Sequence, residues 1–121
     1  MNLIIEALFV ALYTSLFSFI PQLINVYFYL FIIGFLKHSI SYYIGIQNFY
    51  CLYNGEKKAT DIHIFIDSFF EGIIFIVLGI IIIKLFQFNM FKSLFLLGFF
   101  LHLIAEFIHL HSFFINYRCI L

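Results

Sequence analysis

Long apolar runs separated by short polar breaks predict four membrane-spanning helices in this chain. The runs cover residues 3–20, 23–44, 62–86 and 90–117. A helix rises 1.5 Å per residue, so runs of about 20 residues match a hydrocarbon core of roughly 30 Å. A single helix over residues 3–36 would be about 50 Å long. We therefore expect the chain to turn back near Pro21, whose ring removes a backbone hydrogen-bond donor.

The connections between the runs predict the topology. Residues 47–60 form a polar loop that contains the turn signal Asn54-Gly55, and residues 87–89 form a tight turn. With antiparallel spans, both termini and the 47–60 loop lie on one side of the membrane, which we call side A. The opposite side is side B. The predicted fold is a single all-α domain over residues 1–121, an up-down four-helix bundle in the membrane.

The amino-acid composition predicts that the protein resides in a membrane and does not bind nucleic acid. The chain is 65% hydrophobic and 10% charged, whereas about a quarter of the residues in soluble domains are charged. The lipid bilayer is therefore the expected surrounding. A formal net charge of zero and the absence of a basic patch argue against nucleic acid as a partner.

The distribution of basic residues predicts an orientation. Side A carries four cations and side B carries two, so the positive-inside rule predicts that side A is cytoplasmic. The cations are Lys37, Lys57, Lys58 and Arg118 on side A, and Lys84 and Lys92 on side B.

The two cysteines, Cys51 and Cys119, form no Cys-x-x-Cys pair and fit no zinc pattern. The sequence allows a disulfide between them but does not require one. No glycine-rich phosphate loop and no Gly-x-Ser-x-Gly elbow is present in the sequence.

Titratable residues inside the apolar runs are the candidate functional residues. His102, Glu106 and His109 share one helix face, at roughly 0°, 40° and −20°. In the preceding run His63, Asp67 and Glu71 lie at roughly 0°, 40° and 80°. Ionisable groups inside a membrane are costly and frequently functional.

Small residues accompany both sets and suggest how they meet. Close helix packing in membranes uses such residues, so we expect the third and fourth spans to pack with the two titratable faces opposed. Glu6, His38 and Tyr42 would complete the cluster, and His111 points away from His102 on a continuous helix. The small residues are Ser68, Gly72 and Gly79 in the third span, and Gly98, Ala105 and Ser112 in the fourth.

Three functions are compatible with this cluster. The first is a metal site for iron, zinc or manganese, because Glu106-x-x-His109 has the spacing found in di-iron bundles, although the chain has only one such motif. The six predicted ligands are His63, Asp67, Glu71, His102, Glu106 and His109. Whether the protein is an enzyme, and which residues would be catalytic, stays open.

The second function is proton or ion movement, since alternating histidines and carboxylates form proton relays. The side B half is almost entirely apolar, so a pore would require a homo-oligomer. The third function is that of a structural or accessory membrane subunit, in which the polar cluster sets helix register and the bundle binds partner subunits or lipids.

Overall fold

The computed structural model of this protein describes residues 3–55, 57–60 and 62–119. Within these residues the regular structure is entirely helical, as predicted. The helices are α1 (Leu3–Ser15), continued by a 3-10 turn (Leu16–Phe19), α2 (Val26–Tyr43), α3 (Ile46–Gly55), α4 (Ile64–Phe86), α5 (Met90–Phe107) and α6 (Leu110–Arg118).

Two of the predicted breaks have a clear local cause. The chain leaves the first helix before Pro21, and α2 begins after Asn25, whose side-chain oxygen accepts a hydrogen bond from the Phe28 backbone N–H at 3.0 Å. Asn89 caps α5 in the same way through the Lys92 N–H at 2.9 Å. Gln87 ends α4 in a left-handed conformation. Asparagine is a preferred N-cap, so these boundaries follow from local chemistry.

The end of the second span near residue 44 was predicted, but the helix that follows it and a break at His109 were not. Gly45 has φ +90°, and beyond it α3 is bent by 63° from α2. The first part of the predicted 47–60 loop is therefore helical. The last predicted span is also divided, because His109 takes a left-handed conformation with φ 62° between α5 and α6. Both breaks need a positive φ, which glycine adopts freely and histidine only at a cost.

Two described helices, α4 and α5, are long and apolar enough to cross a membrane. The bent pair α2 and α3 would count as a third crossing if it forms one span, and the segment Leu3–Phe19 is apolar but shorter. Length and composition therefore support a helical bundle with two candidate membrane helices.

The closest helix packing joins α2 to α4 and α1 to α5. The third and fourth predicted spans, α4 and α5, do touch, but less extensively than we expected from their small residues. At the α2–α4 crossing, a Cβ added to Gly34 would lie 2.9 Å from Gly72 Cα. At the α1–α5 crossing, a Cβ added to Gly98 would lie 2.5 Å from Thr14 Oγ1. The small residues thus allow close packing, but not between α4 and α5 as predicted. Gly72 of α4 packs against α2, and Gly98 of α5 packs against α1.

The helices expose many large apolar side chains, and small residues fill several of the buried positions. The buried positions of α1 are Ala7, Ala11, Thr14 and Ser15, and those of α4 include Ser68, Gly72 and Gly79. Large apolar side chains lie on the outside, and in α4 alone these include Phe65, Ile66, Phe69, Phe70, Ile73, Val77, Ile81 and Leu85. An apolar core is also present, built around Leu30, Ile33, Phe75, Leu94 and Leu97.

Candidate functional site

Ion pairs between helices form the candidate functional site. They lie where α2 ends and α4 begins, toward the predicted side A end of the bundle. Each pair joins two different helices. The chemistry of each titratable group is therefore set by the side chain that it contacts on the other helix.

Glu71 on α4 is held by two residues of α2. The Lys37 ammonium donates to Glu71 Oε1 at 2.5 Å, and His38 Nδ1 lies 2.6 Å from Oε2. The Lys37 and Glu71 side chains are each only 13% exposed. Charges this sheltered from water are stable only when paired. The carboxylate therefore has both oxygens occupied by protein donors.

A second layer of polar contacts surrounds His38. The buried Gln47 side-chain amide donates to the His38 carbonyl at 3.2 Å and to Ser41 Oγ at 3.0 Å. Tyr13 on α1 donates its hydroxyl to the Lys37 carbonyl at 3.2 Å. These bonds connect α1, α2 and α3 around the Glu71 pair and fix the position of His38.

Asp67 on α4 binds Arg118 at the end of α6. Arg118 Nε and Nη2 donate to the two carboxylate oxygens at 2.6 and 3.0 Å, which is a bidentate pair. The hydrogen bonds to Asp67 raise the pKa of Arg118 above its ordinary value, so the guanidinium remains charged. The Arg118 carbonyl also accepts a hydrogen bond from the Thr60 N–H at 2.8 Å.

The third group links Glu6, His102, His111 and Glu106. Glu6 Oε2 lies 3.3 Å from His102 Nε2, the two imidazole centroids are 4.5 Å apart, and His111 Nδ1 lies 2.5 Å from Glu106 Oε2. The prediction that His111 lies outside the cluster was wrong. It assumed one continuous helix, whereas the left-handed turn at His109 reorients α6 and brings His111 back toward α5.

The remaining predicted site residues lie at the edges. His63 is half-buried at the N-cap of α4 and accepts the Asp67 N–H through its carbonyl. His109 is exposed at the turn before α6. Tyr42 packs its ring against Tyr43 and beside a small buried cluster that contains both cysteines.

The structure does not support the metal hypothesis. Among the described residues, no group of three or more histidine, cysteine, aspartate or glutamate side chains is arranged to hold a metal ion. The physical reason is that the six predicted ligands are divided among separate contacts, and Lys37 and Arg118 occupy the carboxylates of Glu71 and Asp67. The titratable residues of α4 and α5 were expected to face each other. Instead Glu71 pairs with α2, Asp67 with α6 and His102 with α1.

Sequence reasoning missed Lys37, Arg118 and His111 as partners. Lys37 lies directly before His38 in an apolar segment, which was a usable signal, because an intramembrane cation needs a counter-ion. No signal in the sequence identified Arg118 or His111, since their positions depend on the break at His109.

A disulfide between Cys51 and Cys119 connects α3 to the residue after α6. We call α3, residues 57–60 and residues 110–119 the end layer. The Ala59 N–H donates to the Asn48 side chain at 2.9 Å, and Thr60 bonds to Arg118 as described above. The segments of the end layer are therefore joined by one covalent bond and two hydrogen bonds.

Comparisons of the chain with protein-family models, with curated proteins and with solved structures give no match. The chemistry of the described residues is accordingly the basis for any functional assignment.

Proposed function

We propose that this protein is a multi-pass integral membrane protein that acts as a structural or accessory subunit within the bilayer. Its core would be a four-helix antiparallel bundle formed by α1, α2, α4 and α5. The observation that carries this proposal is the large number of exposed apolar side chains on α1, α2, α4 and α5, together with helix crossings built from small and hydroxyl residues. Such a surface is favourable in lipid, where no hydrophobic force drives large apolar side chains inward.

The antiparallel arrangement is supported by the order of contacts along the helices. Lys37 contacts Glu71 while Leu30 packs on Gly79, so α2 and α4 run in opposite directions. Glu6 contacts His102 while Thr14 packs on Gly98, so α1 and α5 do the same. The tight connection at residues 87–89 reverses the chain between α4 and α5.

The ion pairs fit a structural role because each joins two helices. Glu71 connects α4 to α2, Asp67 connects α4 to α6, and Glu6 connects α1 to α5. Polar contacts between helices stabilise a membrane bundle and specify its register. Partners of such a protein would be the bilayer itself and either a second copy or another membrane subunit.

Membrane insertion is tested by alkaline carbonate extraction of membranes that contain the full chain. We expect the protein to stay in the membrane pellet, because its exposed surface is apolar on several helices. Recovery in the soluble fraction would contradict the proposal. A soluble reporter protein and a known multi-pass protein in the same membranes serve as controls.

The structural role is tested by reconstituting purified protein in liposomes that contain a pH-sensitive dye. We expect proton permeability equal to that of liposomes with the Glu71→Gln or Glu106→Gln variant. Faster flux with the wild type, lost in either variant, would contradict the structural role.

Proton movement is a second candidate, favoured by the continuous Glu6–His102–His111–Glu106 contacts. Imidazole and carboxylate groups in such a series can pass a proton between them. This series joins α1, α5 and α6 near one end, and the core toward the start of α5 contains Leu94, Leu97 and Ile82 instead. The liposome measurement distinguishes the two roles.

A further inference from the structure

We infer that the end layer of this protein faces an oxidising, non-cytoplasmic compartment. The inference rests on the membrane insertion proposed above and reverses the orientation predicted from the basic residues. It places the connection at residues 87–89 on the cytoplasmic side.

The first argument is the disulfide between Cys51 and Cys119. Their side chains are 0% and 4% exposed, and both lie against Ala59 in a small apolar cluster. A disulfide buried in this way is shielded from soluble reductants and serves as a permanent structural bond. Disulfides form and persist in oxidising compartments and are rare in the cytosol.

The second argument is that the end layer is built around this bond. Cys51 is on α3 and Cys119 follows α6. They are 68 positions apart in sequence, and the segment between them includes the whole of α4 and α5. The Thr60–Arg118 and Ala59–Asn48 hydrogen bonds lie on either side of the same cluster. Folding of the end layer and formation of the disulfide therefore belong to the same compartment.

The structure also weakens the opposing argument from charge. Lys37 lies within α2, and its side chain is 13% exposed against Glu71, so it is not a loop cation. Arg118 is bound to Asp67 in a bidentate pair. The remaining side A cations, Lys57 and Lys58, are exposed, and so are Lys84 and Lys92 on side B. The positive-inside rule counts basic residues near span ends whether or not they are paired with acids, so Arg118 still counts, and the excess of cations on side A falls from two to one.

Cysteine labelling in intact cells tests this orientation. The full chain, with its native disulfide, is produced in a bacterial inner membrane carrying either Lys57→Cys or Gln87→Cys. Both positions are exposed, and they lie beyond opposite ends of α4, which at 23 residues is about 35 Å long. We expect a membrane-impermeant maleimide to label Lys57→Cys in intact cells and Gln87→Cys only after the membrane is permeabilised.

Labelling is scored on protein recovered in the carbonate-resistant membrane pellet. The reverse pattern, or equal labelling of both positions in intact cells, would overturn the orientation while leaving membrane insertion in place. Absence of the protein from the pellet would instead overturn the proposed function, so the two failures are distinguishable.

A thiol-trapping measurement on the unsubstituted chain provides an independent test. Cells are quenched with acid, and free thiols are reacted with a maleimide polymer before and after reduction. We expect Cys51 and Cys119 to react only after reduction in normal cells, and to react directly in cells that lack the periplasmic thiol oxidase. Free thiols in normal cells would overturn the inference, as would a disulfide that forms equally in both strains.

Discussion

At the scale of single residues, the described titratable groups inside the bundle are stabilised by specific partners. Glu71 illustrates the point, because Lys37 and His38 bind its two oxygens and all three side chains are largely shielded from solvent. Removing one partner of a buried pair costs far more than removing an exposed pair, since the remaining charge stays poorly solvated. The ion pairs therefore contribute unequally to stability.

Replacing Glu71 with glutamine should destabilise the fold by about 3–5 kcal/mol, because it leaves the Lys37 ammonium without a counter-charge. The matched control is Glu106→Gln. Glu106 is 50% exposed beside His111, and we expect a loss below about 1 kcal/mol. Thermal unfolding of detergent-purified variants measures both. Adding Lys37→Met to Glu71→Gln should recover stability, and equal melting temperatures for the two single variants would contradict the prediction.

His109 is a second residue-scale case, because it adopts φ 62° at the break between α5 and α6. We expect His109→Gly to leave stability unchanged or raise it by up to about 1 kcal/mol, since glycine adopts this conformation without a Cβ clash. His109→Val should lower the melting temperature, because β-branched residues are especially unfavourable at positive φ. A clear loss of stability with glycine would indicate that the imidazole itself has a structural or ligand role.

At the scale of helices, small residues determine which surfaces come together. Gly34 and Gly72 allow the α2 and α4 backbones to touch, and Gly98 accommodates Thr14 at the α1–α5 crossing. The sequence predicted that Gly72 and Gly98 mark helix interfaces, which is confirmed, whereas Ser112 from the same prediction is exposed. It did not identify which helices meet, because small residues on four helices can be paired in more than one way.

Two glycine-to-alanine substitutions at the α2–α4 interface should lower the stability of the protein by different amounts. A Cβ at Gly34 would lie 2.9 Å from the Glu71 backbone oxygen and from Gly72 Cα, whereas a Cβ at Gly79 would meet only the Leu30 side chain within 3.3 Å. Backbone cannot move aside as a leucine side chain can. We expect Gly34→Ala to cost about 1–3 kcal/mol, and Gly79→Ala to cost less. Thermal unfolding decides, and a larger loss for Gly79→Ala would contradict the packing described.

At the scale of the whole molecule, the end layer closes one end of the bundle. It brings α3 and α6 together although they are far apart in sequence, and the disulfide makes that contact permanent. The bend at Gly45 and the turn at His109 both precede a helix of the end layer, so these two backbone positions direct its assembly.

Replacing both cysteines with serine should destabilise the protein by about 2–5 kcal/mol, because the disulfide closes a loop of almost 70 residues in the unfolded chain. We expect a lower melting temperature for Cys51→Ser/Cys119→Ser than for the wild type. Mild reductant should not change the wild-type value, since the bond is buried. Equal melting temperatures for the wild type and the double variant would contradict this role of the disulfide.

The sequence by itself determined the helical class, the apolar character of the helices, the breaks near Pro21, near Gly45 and at residues 87–89, and the need of His102 and Glu71 for polar partners. These features depend on local backbone chemistry and on the cost of burying charge, both of which are properties of short segments. Only the tertiary structure decided the partners themselves. Whether Glu71 meets Lys37, whether His111 meets His102, and whether Cys51 meets Cys119 depends on how helices pair. It also depends on the positive φ of Gly45 and of His109, which reorients the chain before α3 and before α6. Contacts between distant segments are set by packing of the whole bundle, which no local pattern specifies.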